Sequence, residues 1–147
     1  MTCSPGLLHQ RVVVNLCSRL HDACPAALEV LPGPFAVGLA DDTELRPDLL
    51  VAQRNLLTEE DLPAPPVLAV EVLAPSTRTI DIHVKRERFE RAGAPSFWVV
   101  DPKWVRLLAW ELGSDGKYQQ VADVTGKERF DATLPYPVSV IPADLVR

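Results

Sequence analysis

Val67-Leu68-Ala69-Val70-Glu71-Val72-Leu73 is the most apolar run of the chain, and a single carboxylate interrupts it. Its length and β-branched content predict a central strand buried on both faces. A carboxylate inside such a strand is costly unless a cation or hydrogen bonds compensate it. The surrounding segment, Arg46 to Lys85, carries the groups that could do so. Upstream, Pro47-Asp48 opens another apolar run. Downstream, a helix is predicted from near Thr79 to Ala92, with Asp81 and Lys85 four apart and Gly93 at the C′ position. Ser96-Phe97-Trp98-Val99-Val100-Asp101 then reads as a further strand. Strand, crossover helix and strand form a βαβ unit, and this decides for a mixed α/β (α+β) fold.

The flanks extend that frame. Leu8, Val12, Leu16 and Leu20 recur near helical spacing, with Arg11, Asn15, Arg19 and Asp22 on another face, so Leu7 to about Ala23 is predicted as an amphipathic helix that Pro25 ends. Leu28–Leu31 and Phe35–Ala40 are predicted as short strands, separated by Pro32-Gly33-Pro34. Asp48–Gln53 is another. Thr58-Glu59-Glu60-Asp61 has the cap and acidic first turn of a short helix, stopped by Pro63. The loop Ala74–Thr77 leads into the crossover helix. Trp104–Leu112 and Tyr118–Val121 are predicted to pair across a turn at Gly113-Ser114-Asp115-Gly116, and Val138–Ile141 is a last short strand. The predicted order α-β-β-β-β-α-β-β-β suits a mixed sheet with helices packed on it.

Composition sets the outer limits. The 147 residues fit one domain with a sizeable core, and 47% hydrophobic with 24% charged residues is the balance of a water-soluble globular chain. No apolar run approaches the roughly 20 residues of a membrane span, and residues 1–6 lack the features of a secretory signal. Cys3, Cys17 and Cys24 form neither a CxxC pair nor a disulfide framework. Cys17 and Cys24, seven apart, are predicted on one helix face as buried thiols. A cytoplasmic, reducing location is the expectation. The net charge of −5 predicts weak nucleic-acid binding unless charge is unevenly placed. It is uneven: Arg78, Lys85, Arg86, Arg88 and Arg91 fall within 14 residues, although Asp81, Glu87 and Glu90 would also balance them as an ordinary solvated face.

Two acids and a lysine, Asp48, Glu71 and Lys85, are the parts of a divalent-metal phosphodiesterase site. Carboxylate oxygens suit Mg²⁺ or Mn²⁺, which polarises a phosphate and lowers the pKa of its water, while an ammonium orients the nucleophile or stabilises developing charge. On the predicted helix, Asp81, Lys85 and Arg88 share one face; Ile80, Val84 and Phe89 supply part of an apolar stripe, with Ile80 and Val84 packing down opposite that face. Each residue also has a plainer reading. Asp48 fits a turn cap, Glu71 a strand-end ion pair, and Lys85 with Asp81 a surface pair. His9, His21 and His83 share no spacing and read as packing or surface residues. Trp98, Trp104 and Trp110 read as core or interface residues rather than base-stacking ones.

Arg46-Pro47-Asp48-Leu49-Leu50, Val70 through Thr77, Asp81-Ile82-His83-Val84-Lys85 and Ala92 through Pro102 together resemble successive motifs of the Uma-two family, in order and spacing. These bacterial proteins are regarded as restriction endonucleases of the PD-(D/E)XK fold. The resemblance implies a mixed β-sheet flanked by helices with metal at its rim. It also implies Asp48 and Glu71 as metal ligands for Mg²⁺ or Mn²⁺, Lys85 as the catalytic lysine and Asp81 as a supporting acid. Leu73 stands where the fold's lysine usually follows the acid, and Lys85 on the helix takes its place. Relatives usually begin with a further strand segment, so the expectation for residues 1–147 is either that this strand and its acidic residue are absent or that the true start lies upstream of residue 1. The exposed edge a missing strand leaves would favour a homodimer. The resulting expectation is a metal-dependent endonuclease with DNA as substrate. The alternative is a catalytically silent relative of the same fold that serves as a binding or assembly module.

Overall fold

The computed structural model describes residues 5–40, 43–74 and 80–147, with the backbone alone at Ala40, Ile80 and Asp81. Helix α1 (Leu7–Ala23) precedes strands β1 (Leu28–Pro32), β2 (Ala36–Ala40), β3 (Thr43–Leu45), β4 (Leu49–Gln53), β5 (Asp61–Leu62) and β6 (Leu68–Val72). Helix α2 (Ile80–Ala92) crosses to β7 (Ser96–Asp101), followed by β8 (Arg106–Leu112), β9 (Tyr118–Thr125), β10 (Phe130–Ala132), β11 (Val138–Val140) and the short α3 (Pro142–Leu145). Six strands form the main sheet in the order β1-β4-β6-β7-β8-β9. Its β6–β7 pair is parallel, as a crossover demands, and its other pairs are antiparallel.

The central strands β4, β6 and β7 are buried on both faces, and strand alternation divides their apolar residues between two cores. Leu49, Val51, Leu68, Val70, Val72, Trp98 and Val100 face α1, α3 and the β10–β11 ribbon. Leu50, Ala52, Ala69, Phe97 and Val99 face the other way, toward α2 and the small β3-β2-β5 sheet. Every residue of β6 is therefore buried. The α1 layer is tied down by Asn15 Nδ2, which donates to the Leu145 carbonyl at 2.9 Å, and by the Tyr136 hydroxyl, which donates to the Leu20 carbonyl at 2.6 Å.

Helix α2 rolls differently from the sequence expectation. Phe89 is fully buried as expected, but its partner on that core is Ile82. Val84, expected in the apolar stripe, is 39% exposed, and Arg88 is exposed as well. The inward face runs through Ile82, Lys85, Arg86 and Phe89, the i, i+3, i+4, i+7 pattern of a core-facing stripe. Aromatic packing decides the roll. Phe89 lies 5.7 Å from Phe97, centroid to centroid, and the Arg86 guanidinium sits 4.7 Å over the Trp110 ring. Glu90 Oε2 also accepts the Tyr118 N–H at 2.7 Å, so the helix is keyed to β9 as well. Lys85 is thereby turned toward the sheet.

Other expectations need correction. Thr58–Asp61 is no helix: the Thr58 hydroxyl accepts the N–H groups of Glu60 and Asp61, which makes a turn leading into β5. Strand β8 starts at Arg106, and Trp104 lies in the preceding turn, 63% exposed, whereas Trp98 and Trp110 are buried as expected. Cys17 and Cys24 are free and only half-buried; Cys24 is the extended C-cap of α1, where helical periodicity has ended. Residues 75–79, which hold Arg78 and the expected helix start at Thr79, lie outside the described residues. The roll of α2 is testable by denaturant unfolding. Phe89→Ala is expected to cost about 3–5 kcal/mol through the cavity it leaves. Val84→Ala is expected to stay within about 0.5 kcal/mol.

Candidate active site

Asp48 precedes β4, whose antiparallel register against β6 pairs Leu49 with Val70. One step further along, Asp48 comes beside Glu71, and the two residues exchange hydrogen bonds across the strand ends. The Asp48 N–H donates to Glu71 Oε2 at 3.2 Å, and the Val72 N–H donates to Asp48 Oδ2 at 2.8 Å. Gly33 backs this arrangement. Its N–H donates to the Asp48 carbonyl at 2.8 Å, and a Cβ at Gly33 would stand 2.5 Å from the Pro47 carbonyl oxygen. Only glycine admits that approach without a shift of the Pro47–Asp48 backbone.

Glu71 shares its side of the sheet with Ala69, so alternation points it toward α2. From there Lys85 reaches back, its Nζ 2.5 Å from Glu71 Oε1. The Glu71 side chain is 4% exposed, against 29% for Lys85, so the ion pair has one buried end and one open to solvent. Burial, and next the charge of Asp48, push the Glu71 carboxyl up to about 7; Lys85 and the Asp48 N–H pull the other way. The predicted trio Asp48, Glu71 and Lys85 thus converges. The side chain of Asp81, the expected supporting acid, lies outside the described residues.

A fourth group joins them. His9, in the first turn of α1, brings Nε2 to 3.4 Å from Asp48 Oδ1, with its side chain 11% exposed. It had read as a packing or surface residue, because no spacing relates it to the acids. Only the docking of α1, about 25 Å long at 17 residues, puts its N-terminal end at this rim. Beside the site opens a cleft of about 270 Å³, lined by Leu7, Leu8, His9, Leu73, Asp101 and Lys103 among others. It lies at the carboxyl ends of the parallel strands β6 and β7, where crossover sheets place their ligand sites.

Among the described residues no three His, Cys, Asp or Glu side chains form a ready metal cluster. The chemistry of the donors nevertheless fits a small hard cation. Mg²⁺ needs only one or two carboxylates and keeps several waters. Two neighbouring carboxylates, one with its proton affinity raised by burial and by the other's charge, are what a divalent ion would relieve. Because the native state holds the Glu71 proton up to about pH 7, against 4.5 ordinarily, it binds more protons than the unfolded chain across that window. Stability is therefore expected to fall as pH rises from about 4.5 to 7, by on the order of 3 kcal/mol at most. Glu71→Gln should flatten that slope in urea unfolding series collected at several pH values.

The chain matches the Uma2 (Uma-two) family, described as "Putative restriction endonuclease", over residues 1–143. Among solved structures it is similar to a protein from Anabaena variabilis ATCC 29413, described as a putative nuclease belonging to DUF820. The TM-score is 0.75 at 13% identity, with 99% of this chain and 84% of that chain covered, a likeness of fold. No curated protein matches. The mixed sheet flanked by helices is shared with that solved structure, and the chain belongs to the Uma2 family.

Proposed function

We propose that this protein is an endonuclease that hydrolyses DNA phosphodiester bonds with Mg²⁺ or Mn²⁺. One observation carries the reading: Asp48, Glu71 and Lys85 come from three separate elements and meet at one sheet rim. Family membership supports the reaction class. Asp48 and Glu71 would hold the ion, which supplies Lewis-acid polarisation of the phosphate. His9 stands beside the Asp48 carboxylate, its Nε2 3.4 Å from Oδ1. Lys85, which pairs with Glu71 and is 29% exposed, would stabilise charge on the phosphate oxygens or orient the attacking water. The rim geometry leaves the phosphate an approach from solvent, since Asp48 and Lys85 are each 29% exposed.

Plasmid nicking in Mn²⁺ tests this reading. Wild type is expected to nick and Glu71→Ala to lose the activity, while Lys85→Ala lowers the rate by about 10²–10³-fold, the scale of one preorganised charge contact. Equal nicking by wild type and Glu71→Ala, or none by either, would contradict it and favour a catalytically silent module. Calorimetry adds a second readout. Mn²⁺ affinity should strengthen as pH rises through about 7, because the Glu71 proton must leave before the ion binds.

A further inference from the structure

The turn between β7 and β8 has features that the metal site does not use. Residues 102–105 close the hairpin whose last pair is Asp101 with Arg106. Pro102 is buried beneath the turn, and the Lys103 N–H is held by Asp101 Oδ1 at 3.1 Å. Val105, a β-branched residue, adopts φ 51°, a left-handed conformation that such side chains rarely take. Its carbonyl is locked by the Gly126 N–H at 2.8 Å. This constrained backbone carries Trp104 outward at 63% exposure, with Lys103 Nζ 5.4 Å from its ring centroid. The other two tryptophans of the chain are buried.

The location matters as much as the exposure. Asp101, Pro102 and Lys103 line the same cleft as His9, and His9 touches Asp48. Lys103 therefore lines a cleft that reaches His9 and through it Asp48, and Trp104 is the next residue along the turn, with the Lys103 ammonium over its ring. The net charge of −5 gives the chain no general attraction for phosphate, so a polyanion must be held by local contacts. An exposed indole beside an ammonium supplies both kinds: a flat face for a base and a cation for its phosphate.

Building on the nuclease reading above, we propose that Trp104 and Lys103 form a platform for an unpaired base next to the scissile phosphate. The preferred substrate is then single-stranded or locally unpaired DNA, since a paired base offers no free face to the indole. Trp104 stacks on the base, and Lys103 contacts the adjoining phosphate.

The test is binding without metal, so that no cleavage is needed. A 12-nucleotide oligothymidylate and a blunt duplex of mixed sequence are titrated against wild type, Trp104→Ala, Trp104→Phe and Lys103→Ala. Folding is checked by circular dichroism, which the exposed positions should leave unchanged. The single strand is expected to quench the indole fluorescence of wild type. Trp104→Ala should bind it about tenfold more weakly or worse, with Trp104→Phe intermediate and duplex affinity unmoved. Lys103→Ala should reduce the salt slope for the single strand by about 0.7. Wild-type affinity of Trp104→Ala for the single strand, or an equal loss for duplex, overturns the proposal. The two readings fail separately. Glu71-dependent nicking with no Trp104 effect removes the platform alone, and Trp104-dependent binding without nicking removes the nuclease activity alone.

Discussion

The carboxylate of Glu71 inside β6 is the constraint on which the rest of the structure turns. A charge in a strand buried on both faces would cost several kcal/mol if left bare. Three features keep it tenable: the ammonium of Lys85, the Asp48 N–H, and a proton affinity high enough that the acid is partly neutral near pH 7. Each compensation fixes something else. Lys85 can arrive only if α2 rolls its Ile82–Phe89 stripe inward, and the Asp48 N–H only if β4 keeps its register on β6. A slip of one residue would send Glu71 into the α1-side core and bring an apolar neighbour to the rim.

The same logic explains why the site is a weak point by design. Asp48 and Glu71 repel each other, and that repulsion is tolerated because backbone N–H groups and one lysine partly offset it. Gly33 holds the Pro47–Asp48 backbone from behind, so even a short turn far from the helix contributes to where the carboxylate stands. Function and stability pull in opposite directions here. A well-packed apolar residue at position 71 would suit the core better and would remove one of the two carboxylates of the proposed metal site.

Much of this was legible in the sequence. The βαβ unit is written in long apolar runs around a helical segment with a glycine stop, and all three elements appear where those runs lie. Asp48, Glu71 and Lys85 were legible as chemistry because acids beside or within buried strands need a reason. The roll of α2 was not legible. Val84 and Ile82 are equally apolar, and only the packing of Phe89 on Phe97 and of Arg86 on Trp110 decides between them. His9 was invisible because its partner is 39 residues away and is reached through helix docking rather than spacing. Strands β3, β5 and β10 are two or three residues long and exist through their pairing partners, not their own propensity. The exposure of Trp104 is not legible in the sequence, where an apolar run points to a strand from that residue, whereas a left-handed Val105 delays the strand and turns the indole out.

Anomalous diffraction from crystals soaked in Mn²⁺ tests the central claim most directly. One manganese peak is expected at the β4–β6 rim within about 2.0–2.4 Å of carboxylate oxygens from both Asp48 and Glu71. The same peak should be absent from Glu71→Ala crystals. A rim without manganese, with Lys85 still closed on Glu71 while the ion binds elsewhere, would contradict it.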